Sequence, residues 1–286
     1  MSLPPFDFLA PETTGEVIEA LGEYGDDAIL MAGGLTVMIL LQERLVRPQV
    51  VVSLEKVAAL HGIEVNGDAR VRAMATHSDV AGSAALDEFA PLLPTACSRV
   101  GSPAIRNMGT VGGSVSQGDG ASDVSPALLA LDAEVLAMGP DGARTIPLDA
   151  FFEGVFTTVL GEKEFLTALH IPKPAAGTLT NYVKFTCTSA EAFAAVTVAL
   201  SIRPGPDGIC EDVRIALGSV APVPMRATAA EDLLSGNEAS PELIAEVADA
   251  AAAAADPSSD GQGSADYKRD MIRVWVRRLL EDTLSP

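Results

Sequence analysis

At 286 residues the chain is long enough to bury a sizeable core and to divide into two or three lobes. Its formal charge of −20 excludes a nucleic-acid or anionic-membrane binder, because phosphates are repelled by such a field. Hydrophobic residues make up 48% of it, yet no uninterrupted apolar run reaches the roughly 20 residues a membrane span needs.

The N-terminus, Met1-Ser2-Leu3-Pro4-Pro5, lacks a basic region with an apolar signal core, so a cytoplasmic location is the default expectation. Residues 14–24 place Val17, Ile18 and Leu21 on one helical face, with Thr13 or Thr14 as the cap. Ala28-Ile29-Leu30-Met31-Ala32 is a short apolar run that reads as a buried strand. Gly33-Gly34-Leu35-Thr36 breaks it, Thr36 reads as an N-cap, and residues 37–46 continue with helical spacing. Strand, glycine turn and helix together form the geometry that points helix N-terminal amides at a phosphate. The spacing is neither G-x-G-x-x-G nor the Walker pattern. Pro48 stops the helix, and residues 49–54 read as a second strand that completes a small α/β lobe, 1–55.

A second lobe, 56–172, begins with a hairpin: residues 62–65 and 70–74 flank Asn66-Gly67-Asp68. Thr76-His77-Ser78-Asp79 opens a helix, and Pro91-Leu92-Leu93 leads into another that carries Val100 toward the principal glycine stretch. That stretch runs Ile105-Arg106-Asn107-Met108-Gly109-Thr110-Val111-Gly112-Gly113-Ser114-Val115-Ser116-Gln117-Gly118-Asp119-Gly120-Ala121-Ser122-Asp123. Glycines let a backbone approach a ligand closely, and consecutive bare amides make an anion-binding concavity. Thr110, Ser114 and Ser116 add hydroxyl donors, and Asp123 adds an acceptor suited to a sugar-like hydroxyl. This inventory fits a nucleotide better than a metal or a nucleophile; the plain alternative is a glycine-rich surface turn. Two such loops in one chain point to a ligand with two phosphates, held from both sides. Arg106 and Asn107 are expected to pin the loop ends to carbonyls, and Asp119 to shape the loop as an Asx residue. A short helix over 125–131, a hairpin over 133–146 and residues 164–171 finish the lobe.

Pro172-Lys173-Pro174-Ala175-Ala176-Gly177 reads as a linker. Beyond it, residues 181–188, 194–202 and 213–220 read as three strands, followed by helices over 226–234, 241–255 and 266–283, an α+β pattern. The alanine run 248–255 and the stripe Tyr267, Met271, Val274 and Trp275 read as helix packing. Cys97, Cys187 and Cys210 form no C-x-x-C pair, which excludes an iron–sulfur or structural zinc site built from this chain alone. His61, His77 and His170 are scattered and read as surface or turn residues, so no catalytic set and no metal ligands are nominated.

Ala32-Gly33-Gly34-Leu35-Thr36 with Arg44-Leu45-Val46-Arg47-Pro48, the stretch from Ile105 to Ser114, and Ser122-Asp123 resemble the FAD-binding (medium) subunit of molybdenum hydroxylases of the carbon monoxide dehydrogenase and xanthine dehydrogenase type. The likeness runs nearly end to end and includes Ser259-Asp260-Gly261-Gln262-Gly263, Asp266-Tyr267-Lys268-Arg269 and Arg277-Arg278, most similar to the carbon monoxide dehydrogenase branch. It implies an α+β fold: a two-lobed FAD-binding domain of the vanillyl-alcohol-oxidase-like (PCMH) type, plus a C-terminal α+β domain, 178–286, with a three-stranded sheet and helices. It implies FAD held by Ala32, Gly33, Gly34, Leu35 and Thr36 and by Thr110, Val111, Gly112, Gly113, Ser114 and Gln117. Asp123 falls near the ribityl chain, Lys184 reaches the flavin, and Val100 packs against the ring, where a surface lysine and a core valine are the plain alternatives.

The same resemblance implies a molybdopterin cofactor in a large partner subunit and 2Fe-2S clusters in a small one. It also implies a dimer of heterotrimers and an external electron acceptor. The chain departs from the pattern after Lys184: Glu191 stands in place of an aspartate, and Ala192 where an aromatic would shield one flavin face. That face is then more open, or Phe193 or a partner covers it. Two other readings stay open here, a self-contained FAD-dependent oxidoreductase of the same superfamily and a flavin-free assembly module.

Overall fold

The structure is a computed structural model and describes residues 3–285. The first lobe is a three-stranded parallel sheet in which β3 (Val50–Ser53) lies between β1 (Asp7–Leu9) and β2 (Ala28–Met31). Between β1 and β2, α1 (Thr14–Tyr24) starts at a capping box: Thr13 accepts from the Glu16 amide, and the Glu16 carboxylate returns to the Thr13 amide. Val17 and Leu21 of α1 pack with Leu54, Val57, Leu60, Met74 and Phe165, which fastens this lobe to the next. All four residues of β3 are buried, as expected of the central strand of a parallel sheet. β2 is only partly buried, because its far edge is open. The helix that follows, α2 (Leu35–Gln42), is shorter than its sequence pattern: Arg44 takes a φ of 58° and turns the chain away.

The second lobe is a five-stranded antiparallel sheet. Its strands are β4 (Ile63–Asn66), β5 (Asp68–Arg72), β6 (Glu134–Gly139), β7 (Gly142–Pro147) and, after the small pair β8 (Phe152–Gly154) and β9 (Thr157–Thr158), β10 (Phe165–Ile171). The order is β4-β5-β10-β6-β7. Between β5 and β6 come six short helices: α3 (His77–Ala81), α4 (Ala84–Phe89), α5 (Leu92–Ser98), α6 (Pro103–Met108), α7 (Val111–Ser116) and α8 (Ser125–Ala130). Their apolar sides form the largest core of the molecule, with Val71, Leu86, Leu93, Val111, Val115, Leu128 and Leu169 all buried. The predicted strands and hairpins of this lobe appear in chain order.

In the C-terminal domain, β11 (Leu179–Phe185), β12 (Val196–Pro204) and β13 (Cys210–Gly218) are the three expected strands, and the two-residue β14 (Met225–Arg226) joins the edge of β13. α9 (Thr228–Leu234), α10 (Pro241–Ala254) and α11 (Ala265–Leu284) cover one face. The first seven residues of β12 are buried without alternation, unusual for an antiparallel strand. Both faces are covered: Val198, Leu200 and Ile202 pack on the C-terminal helices, and Ala199 joins the core of the second lobe. The alanines of α10 are packing surface as expected, with Ala248, Ala251 and Ala252 buried. Across the domain boundary, Asp132 accepts from Arg214 and Arg226.

Candidate cofactor site

The two glycine loops come from different lobes, and the fold brings them into contact. A Cβ built on Gly33 would stand 1.8 Å from the carbonyl oxygen of Met108 and 3.2 Å from the Cα of Gly109. From the other side, a Cβ on Gly113 would lie 3.5 Å from the Cβ of Ala32, and one on Gly109 would lie 3.2 Å from Cδ1 of Leu35. Gly33 is therefore glycine because two backbones touch there. Its neighbour Gly34 serves a different end: at φ 76° it turns the chain from β2 into α2.

Gly34, and not Thr36, is the N-cap of α2, which corrects the expectation for Thr36; the threonine is the second residue of the helix and is exposed. Glycine has no side chain to cap with, so the first amides of α2 have no side-chain partner among the described residues. The second loop differs. Its amides are already engaged: Val111 donates to Ala75 O at 3.0 Å, Gly112 to Ala73 O at 3.2 Å, Gly113 to Thr110 Oγ1 at 3.0 Å and Ser114 to Thr110 O at 3.0 Å. The expectation of consecutive bare amides there is corrected. Gly112 seats the loop on the end of β5, where a Cβ would meet Ala73 at 2.6 Å, and Val111 is a core residue. What the second loop leaves toward Ala32 is the bare face of Gly113.

At the end of the second glycine stretch lies a buried ion pair. Nζ of Lys184, on β11, donates to Asp123 Oδ2 at 2.7 Å and to the Arg99 carbonyl at 3.0 Å. The two side chains are only 4% and 9% exposed, so the pair is desolvated and bridges the second lobe to the C-terminal domain. Burial pushes the Asp123 carboxyl up to about 6, against the Lys184 ammonium, which pulls it down. Its Oδ1 is buried with no hydrogen-bond partner among the described residues. Tyr182 holds the same turn by donating to the Asp123 carbonyl at 2.8 Å. Val100 is half-buried against the large core, and its carbonyl accepts from Arg106 at 2.8 Å, as does Gly101 O at 2.7 Å. Arg106 thus pins the loop as expected, while Asn107 instead accepts from the Ser78 hydroxyl. Asp119 makes the expected Asx turn to the Ala121 amide. Gln117 ends α7 half-buried, and its side chain makes no hydrogen bond among the described residues.

Sequence reading missed His77. It is not a surface residue: it is 2% exposed, and its Nε2 lies 3.0 Å from Ser114 Oγ. Nothing in its spacing signals that, because the contact spans 37 residues. His61 and His170 do lie in surface settings, His170 between Glu134 and Asp68. A cavity of about 440 Å³ is lined by the Asp119 turn with Gly120 and Ala121 and by Phe193, Ser219 and Lys268, and it includes neither the Asp123–Lys184 pair nor His77. Phe193, at its rim, is 64% exposed.

These groups fit a dinucleotide. Uncapped helix amides and a bare glycine face suit anionic oxygens. A buried carboxylate oxygen without a donor suits a hydroxyl-bearing chain.

Two family models cover the chain: the FAD binding domain in molybdopterin dehydrogenase matches residues 4–174, and the CO dehydrogenase flavoprotein C-terminal domain matches residues 181–283. The carbon monoxide dehydrogenase medium chain of Hydrogenophaga pseudoflava is 33% identical over 97% of this chain and 96% of its own. The nicotine 6-hydroxylase medium subunit of Paenarthrobacter nicotinovorans is 33% identical over 98% of each. Among solved structures, the H. pseudoflava carbon monoxide dehydrogenase that lacks the Mo-pyranopterin moiety of its molybdenum cofactor superposes with a TM-score of 0.95 at 34% identity, over 99% of this chain and 98% of that one. Among the described residues no helix is long and apolar enough to cross a membrane.

Proposed function

The chain belongs to the FAD-binding medium subunits of the molybdenum hydroxylase family, and from that premise we propose that it carries electrons within a multi-subunit oxidoreductase. The substrate reacts on a molybdopterin-bearing large subunit, and a small subunit with 2Fe-2S clusters delivers electrons to the flavin held here, in a dimer of heterotrimers. An external acceptor then removes them. Bound flavin supplies a centre that takes electrons singly or in pairs. This chain's residues bind and orient it: residues 32–36 and 110–114 with Gln117 at the diphosphate, Asp123 at the ribityl hydroxyls, Lys184 and Val100 at the ring. Lobes 1–55, 56–172 and 178–286 act as the three supporting units.

The observation that carries this reading is the contact between the two glycine loops, Gly33 on Met108 and Gly113 facing Ala32. One ligand can touch both loops at once. The test is flavin content. Purified with its co-expressed partners, the wild-type chain should hold flavin at close to one per chain. Gly113→Val should lose nearly all of it while remaining folded by circular dichroism, since the new side chain meets the Thr110 hydroxyl at 2.8 Å and fills the face toward Ala32. The disturbed cap should cost about 1 kcal/mol of stability. Full flavin content in that variant would remove the diphosphate assignment.

A further inference from the structure

His77 is a buried polar side chain that the scheme above does not use. Its amide donates to Gly109 O at 3.0 Å, and its Cδ2 would lie 3.1 Å from a Cβ on Gly109, beside Leu35 Cδ1. The imidazole therefore lies under the start of the second loop, at the Gly109 position that the first residue of α2 also approaches. Nε2 contacts Ser114 Oγ at 3.0 Å, and Nδ1 is buried with no hydrogen-bond partner among the described residues. Burial, and less strongly the charge of Arg106, lowers the imidazole to about 4, so the ring is neutral at pH 7.

A neutral ring leaves two arrangements. If the seryl hydroxyl donates to Nε2, Nδ1 carries the proton, and a buried N–H has no acceptor. With the proton on Nε2, that N–H donates to Oγ and Nδ1 is a bare lone pair. Orphaned buried N–H groups are the rarer defect, which favours the second arrangement. In it the hydroxyl hydrogen of Ser114 is free, and Oγ has no other partner among the described residues.

We infer that His77 is a positioning residue: its Nε2–H donates to Ser114 Oγ and leaves the seryl hydrogen for an anionic oxygen of the cofactor's diphosphate. The inference rests on the flavin reading and adds a residue to it. The bond to the ligand is charge-assisted, and its partner is set in advance by a side chain that never touches the ligand.

The test is FAD affinity of the full chain after flavin removal, read by quenching of flavin fluorescence. His77→Phe and Ser114→Ala should each weaken binding roughly tenfold or more. Combined, they should weaken it no further than Ser114→Ala alone, because His77 acts only through the seryl hydroxyl. His77→Gln, which keeps an N–H donor, should recover most of the loss. Multiplying losses in the double variant, wild-type affinity in His77→Phe, or no recovery with Gln would each overturn the inference. Should His77→Phe not fold, Ser114→Ala with wild-type affinity overturns it equally. A wild-type chain that takes up no FAD would overturn the flavin reading and this inference with it, whereas uptake unaffected by these variants overturns the inference alone.

Discussion

Replacing Gly33 with alanine should both destabilise the protein and abolish its flavin. The added methyl would stand 1.8 Å from the Met108 carbonyl oxygen and 2.7 Å from its carbon. Those are main-chain atoms of α6 and cannot swing aside as the end of a long side chain would. The loops must separate instead. Overpacking of this kind costs about 1–3 kcal/mol, and the backbone contact puts this site at the upper end. Separation also moves apart the two loops proposed to hold the diphosphate, so flavin binding should fall more than stability does. Gly22→Ala is the control. Gly22 lies inside α1 with nothing within 4 Å of its added methyl, and it should gain about 0.5–1 kcal/mol from helix propensity. Thermal unfolding and flavin per chain measure both effects. A Gly33→Ala protein that melts with wild-type and stays yellow would show that the loops do not touch.

The second large effect is expected at the Asp123–Lys184 pair. Truncating either partner strands a charge in a site where the side chains are 4% and 9% exposed. Stranding a buried charge costs about 3–5 kcal/mol. Asp123→Leu and Lys184→Met should each unfold at clearly lower urea concentration, and the double variant should recover much of the loss, because replacing the whole pair by apolar groups strands nothing. A double variant as unstable as the sum of the singles would mean that the pair is not coupled.

The same pair predicts a pH dependence for the flavin-free chain. The folded carboxyl of Asp123 is raised to about 6 from an ordinary 3.8. Between those values the native state binds a proton that the unfolded chain does not, so this group's contribution rises as pH falls from about 6 to about 4 and is lost as pH rises through 6. Urea midpoints of wild-type and Asp123→Asn, compared across that range, should therefore diverge on acidification, with wild-type gaining. Parallel curves would show that Asp123 does not titrate there.

Much of the local structure follows from neighbouring residues. Thr13 with Glu16 and Thr76 with Asp79 are capping boxes three residues apart, and both helices start where those pairs predict. The strand, glycine turn and helix around Gly33-Gly34 and the glycine stretch before Asp123 carried the family likeness that the comparisons bear out. Interactions within four residues depend on backbone geometry that every helix or turn repeats, and a sequence pattern records them directly.

Other features depend on how distant elements stack. Gly33 and Gly112 read as ligand-facing glycines, and only the fold shows that Met108 and Ala73 also lie against them. The second loop's amides read as free, yet the carbonyls of Ala73 and Ala75, just after β5, accept from those of Gly112 and Val111. Asp123 and Lys184 were assigned to the cofactor separately, and only the docking of the C-terminal sheet sets them 2.7 Å apart across 61 residues. His77 looks like any turn histidine until the loops close over it. The sequence alone determined most strands and helices and the family they belong to, because those properties are local or inherited whole, but it read as one glycine loop the residues that form α6 and α7. Tertiary structure alone decided which backbones touch, which charges pair and which histidine is dry, because burial and pairing are properties of surfaces brought together and leave no periodic trace along the chain.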